Sequence, residues 1–142
     1  MSIWQRPFTI EDAVKSRAGT MMEHLGIEIA EIGDDFLAAR MPVDNRTKQP
    51  YGIMHGGASC VLAETVGSIA SSYCIDVAHF ICVGVEINTS HIKTAREGFV
   101  TGVARPYHIG KTTHVWDIEI RDESQALVSV SRLRMAILDR RG

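Results

Sequence analysis

The chain has 142 residues, 45% of them hydrophobic, with 15 Lys and Arg against 17 Asp and Glu and a net charge of −2 at pH 7. That length suits one domain, residues 1–142, with a core large enough to need no disulfide staple. Charge is spread without a basic block, which argues against a nucleic-acid or anionic-membrane partner, and the opening Met1-Ser-Ile-Trp-Gln-Arg-Pro7 lacks the apolar centre of a signal peptide, so a cytoplasmic location is expected.

Thr9-Ile-Glu-Asp12 and Thr20-Met-Met-Glu23 both fit the Ser/Thr-x-x-acid capping pattern and predict two short helices, the second ended by Gly26. Ile27, Ile29 and Ile32 predict a strand, Gly33-Asp34-Asp35 a turn, and Phe36–Val43 a second strand pairing back on the first. Asp44–Met54 is a polar connection punctuated by Pro50 and Gly52, and it carries Gln49. Loops of this kind often carry function when a rigid scaffold holds them.

From His55-Gly56-Gly57 the residues are small or apolar for about five turns, up to Ile75, and predict a long central helix with one formal charge, Glu64. An ionised carboxylate on such a helix is costly unless it is partnered or used, which makes Glu64 either a satisfied structural acid or a functional group. The stretch approaches the length of a membrane span, but Glu64, Thr65, Ser59, Ser68, Ser71 and Ser72 favour a buried helix instead.

After Asp76-Val-Ala-His79 the pattern is strand-like, with strands predicted at Phe80–Ile92, Phe99–Ile109, Thr112–Arg121 and Ala126–Leu138, joined as a four-stranded meander. A hairpin, one apolar helix and a meander give an α+β fold in which an antiparallel sheet curls around the helix, the hot-dog arrangement. The small residues Gly57, Ala58, Ala63, Gly67 and Ala70 permit close approach to the sheet. Phe80–Ile92 offers an edge by which two sheets could continue into one another, predicting a homo-oligomer. Cys60, Cys74 and Cys82 are odd in number and lack CxxC spacing, so they are expected to be reduced packing residues, and six histidines without an HExxH pattern predict neither a metal nor a cofactor.

Taken together, Arg46-Thr-Lys-Gln-Pro50, His55-Gly-Gly-Ala-Ser59, Leu62-Ala-Glu64, Gly67-Ser68, Val83-Gly84, Glu86-Ile-Asn88 and Ala95-Arg-Glu-Gly98, with Ile3-Trp4, Ile32-Gly-Asp-Asp35, Met41-Pro-Val-Asp44 and Trp116, resemble the hot-dog acyl-CoA thioesterases. The type is that of 4-hydroxybenzoyl-CoA and phenylacetate-pathway thioesterases, nearest the branch of menaquinone-pathway naphthoyl-CoA hydrolases and enterobactin proofreading enzymes. The resemblance spans nearly the whole chain. It implies that Glu64 is the nucleophile or general base, that the Gly56 N–H polarises the thioester carbonyl beside His55, that Gln49 helps position water or the thioester, and that Ser68 hydrogen-bonds one turn beyond the acid. For coenzyme A it points to Gly84, to His91, Ile92, Lys93 and Thr94, and to His108, Ile109, Gly110, Lys111, Thr112 and Thr113. Two departures bear on the nucleotide: the Ile75–Phe80 loop is about one residue longer than in the family, and Lys93 and Lys111 stand where arginine also occurs, giving a point charge in place of a bidentate fork.

Helix geometry adds a constraint. Gly56 and Glu64 are eight residues apart, roughly 12 Å along one axis at ~1.5 Å per residue, too far to act on one carbonyl. Either one of them is not catalytic, or Gly56 of one subunit works with Glu64 of another, in a dimer with two shared sites. A dimer of dimers is the family-level expectation. Each residue also has a plain structural role open to it: His55 ordering its turn, Gln49 capping loop backbone, Ser68 back-bonding to its own helix, and His91, His108 and Lys111 lying on the surface. The activity expected is hydrolysis of an aromatic or medium-chain acyl-CoA, or of an acyl-carrier thioester. Dehydration or hydration of 3-hydroxyacyl thioesters and non-catalytic acyl-CoA binding are the alternatives.

Overall fold

The computed structural model describes residues 1–141. Helix α1 spans Ile10–Val14 and carries the predicted capping box, with the Thr9 hydroxyl accepting from the Asp12 N–H at 3.1 Å and the Asp12 carboxylate accepting from the Thr9 N–H at 2.9 Å. Helix α2, Met21–His24, forms as predicted but without its side-chain cap: the Thr20 side chain accepts no cap hydrogen bond, and its hydroxyl is turned to donate to the Arg17 carbonyl at 2.5 Å. Glu23 reaches past it to accept from the Gly19 N–H at 3.2 Å. Gly26 ends the helix at φ +71°, a left-handed conformation that glycine adopts without strain.

Strands β1 (Glu28–Ile32) and β2 (Leu37–Pro42) form the predicted hairpin. The long helix α3 spans Gly56–Tyr73, 18 residues. Strands β3 (Phe80–His91), β4 (Phe99–Ile109), β5 (Thr113–Asp122) and β6 (Leu127–Asp139) follow within about a residue of prediction. All pairings are antiparallel, in one six-stranded sheet of order β1-β2-β4-β5-β6-β3.

The order corrects one expectation. Only β4, β5 and β6 form a meander; β3 pairs with β6, from Phe80↔Asp139 to His91↔Ser129, and the chain then crosses to β4, which sits beside β2. Alternation along a strand identifies its buried face, whereas the choice of neighbour is set by where α3 delivers the chain. Strand β3 is therefore an edge of the sheet, and Ile81, Val83 and Val85 on it are 37%, 40% and 52% exposed.

Helix α3 is held because its small and apolar side chains meet the inner face of the sheet. Leu62, Ala63, Val66 and Ala70 are fully buried, as are Leu37, Met41, Val100, Trp116, Ile118, Ile120 and Leu133 on the strands. A Cβ on Gly67 would stand 2.5 Å from the Leu133 methyl, so glycine lets the helix seat there. Ser71, His114 and Trp116 form a buried polar contact within this core: the Trp116 Nε1–H donates to the Ser71 hydroxyl at 2.6 Å, and His114 Nδ1 lies 3.1 Å from the same oxygen.

The N-terminal segment straps the far end of α3. Phe8 stacks on Tyr73 at 3.6 Å, Trp4 donates from Nε1 to the Gly33 carbonyl at 2.8 Å, and Arg6 reaches the Ile75 carbonyl at 3.3 Å, where a cation suits the negative end of the helix. The three cysteines are free and half-buried, and burial pushes the Cys74 thiol up to about 12. No helix among the described residues is long and apolar enough to cross a membrane.

Candidate active site

The N-terminus of α3 is held by backbone bonds on two sides. The His55 N–H donates to the Thr47 carbonyl at 2.7 Å and the Met54 N–H to the Ala95 carbonyl at 2.8 Å. His55 is the N-cap: its Nδ1 accepts from the Gly57 N–H at 2.8 Å and its carbonyl accepts from Ala58 at 2.9 Å. Of the first three helical N–H groups, that of Gly56 alone is left without a partner among the described residues. A donor at the positive end of an 18-residue helix suits a developing oxyanion.

Around Gly56 lies a cleft of about 280 Å³, lined by Gln49, Ile53, Ser59, His91, Ile92, Lys93 and Thr94 among others. The His91 imidazole packs over the glycine, with Nε2 2.9 Å from where a Cβ would be. Gln49 sits at the head of a turn: its carbonyl accepts from the Gly52 N–H at 2.9 Å and its side-chain oxygen from the Tyr51 N–H. The Lys93 ammonium is engaged at 2.6 Å by Asp122. Lys93, first, and then Ser124 hold the Asp122 carboxyl well below the usual carboxylate range. Ser59, outside the predicted set, also lines this cleft, and its buried hydroxyl has no partner. Its place in His55-Gly-Gly-Ala-Ser59, one turn into the helix, is the signal that could have found it.

Glu64 opens into a different space. A cleft of about 350 Å³ is lined on one side by the α3 face Val61, Glu64, Thr65, Ser68 and Ile69, and on the other by Arg17, Thr20, Met21 and Met22. The Glu64 carboxylate is half-buried and makes no hydrogen bond or ion pair among the described residues. It rests against β3 at Gly84, where a Cβ would come within 2.7 Å of Oε2. The sheet is irregular at that point, with a register shift between Gly84 and Glu86. Ser68 shares the cleft and donates to the Met135 sulfur at 3.7 Å, not to Glu64.

The third predicted group is elsewhere again. His108–Thr113 forms the end of β4 and the turn into β5, closed by the Gly110 N–H donating to the Thr113 carbonyl at 2.9 Å. Ile109, Gly110, Lys111 and Thr112 line a cavity of about 850 Å³ with Cys74, Ile75 and Asp76 at the C-terminal end of α3. His108 folds over Gly110, and Lys111 is exposed without an ion pair among the described residues. Within one chain, then, Gln49, Gly56 and His91–Thr94 come together, Glu64, Ser68 and Gly84 come together, and His108–Thr113 stands at the opposite end of a helix roughly 27 Å long at ~1.5 Å per residue.

Among the described residues no three His, Cys, Asp or Glu side chains converge on a point that could hold a metal. A family model described as the thioesterase superfamily matches residues 51–129.

The chain belongs to the thioesterase superfamily.

The thioesterase is 50% identical over 136 residues to the 1,4-dihydroxy-2-naphthoyl-CoA hydrolase of Escherichia coli (strain K12), a match covering 96% of this chain and 99% of that one. It is 46% identical over 136 residues to the proofreading thioesterase EntH of Cronobacter turicensis, over 96% of this chain and 98% of that one. Its fold superposes on the crystal structure of a Pseudomonas aeruginosa thioesterase variant, one glutamine replaced by alanine, with a TM-score of 0.96 at 42% identity, covering 98% and 100% of the two chains. The hot-dog fold and an enzyme that hydrolyses thioesters follow from these relationships.

Proposed function

We propose that the thioesterase hydrolyses an aromatic acyl-CoA to the free acid and CoA at sites shared between two subunits, with Glu64 as nucleophile or general base. The observation that carries the reading is the separation of the two reactive groups: the unpartnered Gly56 N–H and the unpartnered Glu64 carboxylate lie on one helix, eight residues apart and in different clefts. In a two-fold dimer with neighbouring helices, Gly56 of one subunit reaches the carbonyl that Glu64 of the other attacks, and the pair forms two sites. The exposed apolar edge at Ile81, Val83 and Val85 supports pairing of two sheets along β3. A dimer of dimers is the family-level expectation.

The chemistry follows from these positions. The thioester carbonyl oxygen accepts from the Gly56 N–H, whose helix-end dipole favours the negative charge that builds on that oxygen as the carbonyl carbon is attacked. Glu64 either adds to the carbonyl carbon, expelling CoA thiolate and leaving an anhydride that water opens, or removes a proton from an attacking water. Gly84 leaves the carboxylate room because it has no side chain. Gln49 and Ser68 orient water or thioester, and His55 acts by fixing the geometry of the oxyanion donor. The nucleotide arm is assigned to His91–Thr94 and His108–Thr113. These segments stand at opposite ends of α3, so one CoA meets both only if they come from different subunits.

The aromatic acyl group rests on similarity to the E. coli naphthoyl-CoA hydrolase. Thiol release measured over a panel of aryl, medium-chain and 3-hydroxyacyl thioesters, on CoA and on a carrier protein, tests the reading. The highest kcat/KM is expected with arylcarbonyl-CoA. Loss of water from 3-hydroxyacyl thioesters without free thiol would replace hydrolysis with dehydration, and tight binding without turnover would replace it with a binding role.

A further inference from the structure

Arg17 lies between α1 and α2, in a segment that no sequence periodicity marks, yet it forms part of the wall facing Glu64. Its backbone is fixed at both ends. The Arg17 N–H donates to the Val14 carbonyl at 3.0 Å, and the Arg17 carbonyl accepts from both the Thr20 N–H, at 3.1 Å, and the Thr20 hydroxyl. The side chain is anchored too, with Nε donating to the Ala13 carbonyl at 3.3 Å. Ala13 is buried, so the root of the guanidinium is tied to the core. The two terminal amino groups of the fork make no hydrogen bond or ion pair among the described residues, Glu64 included. The guanidinium therefore stands in the wall of a solvent-open cleft with an immobilised stem and a free outer face, beside an apolar patch of Met21, Met22, Val61 and Ile69 and across from Glu64 and Ser68, placed to take a partner from any group that enters. Its geometry suits oxygen atoms presented in a plane, such as a carboxylate, a phenolate or paired hydroxyl groups.

Given that Glu64 acts at the thioester carbonyl, as proposed above, the cleft it opens into is the one that receives the acyl group, and we propose that Arg17 is a specificity-determining residue that selects acyl groups carrying an anionic or oxygen-rich substituent beyond the thioester. Met21, Met22, Val61 and Ile69 receive the apolar ring, Glu64 stands at the carbonyl, and the Arg17 fork takes the substituent. A plain alkyl or phenyl group leaves the fork without a partner and forfeits that interaction.

The test compares benzoyl-CoA with 4-hydroxybenzoyl-, 2-hydroxybenzoyl- and 4-carboxybenzoyl-CoA in wild type, Arg17→Met and Arg17→Lys, reading kcat/KM by thiol release. Equilibrium Kd values for the same thioesters are read in a Glu64→Gln background. The expected result is a ratio of substituted to unsubstituted kcat/KM that favours at least one substituted compound in wild type and falls about 10-fold or more in Arg17→Met. Arg17→Lys, which keeps the charge but loses the fork, should retain part of the preference. Ratios unchanged by either variant, in both turnover and Kd, would overturn the proposal. If wild type releases no thiol from any compound, hydrolysis at this site is what fails, and the Kd ratios still decide whether Arg17 reads the substituent.

Discussion

Replacing Gly56 with proline removes the one N–H at issue with little cost to the helix around it. Gly56 is the first residue of α3, the position where proline is favoured because its missing N–H would be unpaired in any case. The residue before it is already compatible: His55 has φ −65° and ψ 132°, within the extended region that a following proline imposes. Loss of one oxyanion donor costs about 10²–10³ in kcat, or ~2.7–4 kcal/mol. Gly56→Ala is the control, since it keeps the N–H and adds only a Cβ 2.9 Å from the far end of the exposed His91 ring; it should retain more activity than Gly56→Pro. The decisive assay co-expresses Gly56→Pro with Glu64→Gln. Each variant alone has two defective sites per dimer. In a mixed dimer one site draws both intact groups and the other draws both defects, so equal co-expression returns about a quarter of wild-type sites. Recovery no greater than the sum of the separate variants would refute the shared site.

Other consequences follow from particular contacts. Gly84→Ala places a methyl 2.7 Å from Glu64 Oε2; displacing a carboxylate by this much should lower kcat/KM about 10- to 100-fold while the melting temperature stays within a few degrees of wild type. Ser71→Ala strands the Trp116 Nε1–H and His114 Nδ1 in the core, and chemical denaturation should show a loss of ~1–3 kcal/mol. Burial, and next the nearby His108, hold the His114 imidazole below the ordinary histidine value of 6.5. Its contribution to stability is therefore complete above about pH 6.5 and is lost as pH falls toward the folded-state value, because the unfolded chain binds the proton first. Melting curves between pH 7.5 and 5 should show a shallower decline in His114→Gln than in wild type, and parallel declines would contradict that origin.

Local rules made some of this legible in the sequence. The Thr9 box closes with both of its bonds within four residues, while the same pattern at Thr20 starts a helix without closing a box, its hydroxyl turned to the Arg17 carbonyl and its acid, Glu23, to the Gly19 N–H. Glu64 stood out as the one charge on an apolar helix, and the helix pitch alone separated it from Gly56. The partner of β3 was not legible, since an antiparallel strand carries the same alternation whichever neighbour it takes. Spacing also said nothing of the distance between His91–Thr94 and His108–Thr113, which depends on that same crossover. The period-two spacing of His114 and Trp116 put both on the inner face of β5, but only the packing of α3 brings Ser71 to them. Arg17 had no pattern around it, and its place opposite Glu64 comes from the turn between two short helices.

The central claim is that Glu64 does the chemistry of thioester hydrolysis, and the most direct measurement is kcat for thiol release from an arylcarbonyl-CoA by wild type and Glu64→Gln under saturating substrate. Glutamine keeps the size of the side chain and removes its charge, so a loss of at least about 10²-fold, with the fold intact, is the expected result. Equal rates from the two proteins would contradict it.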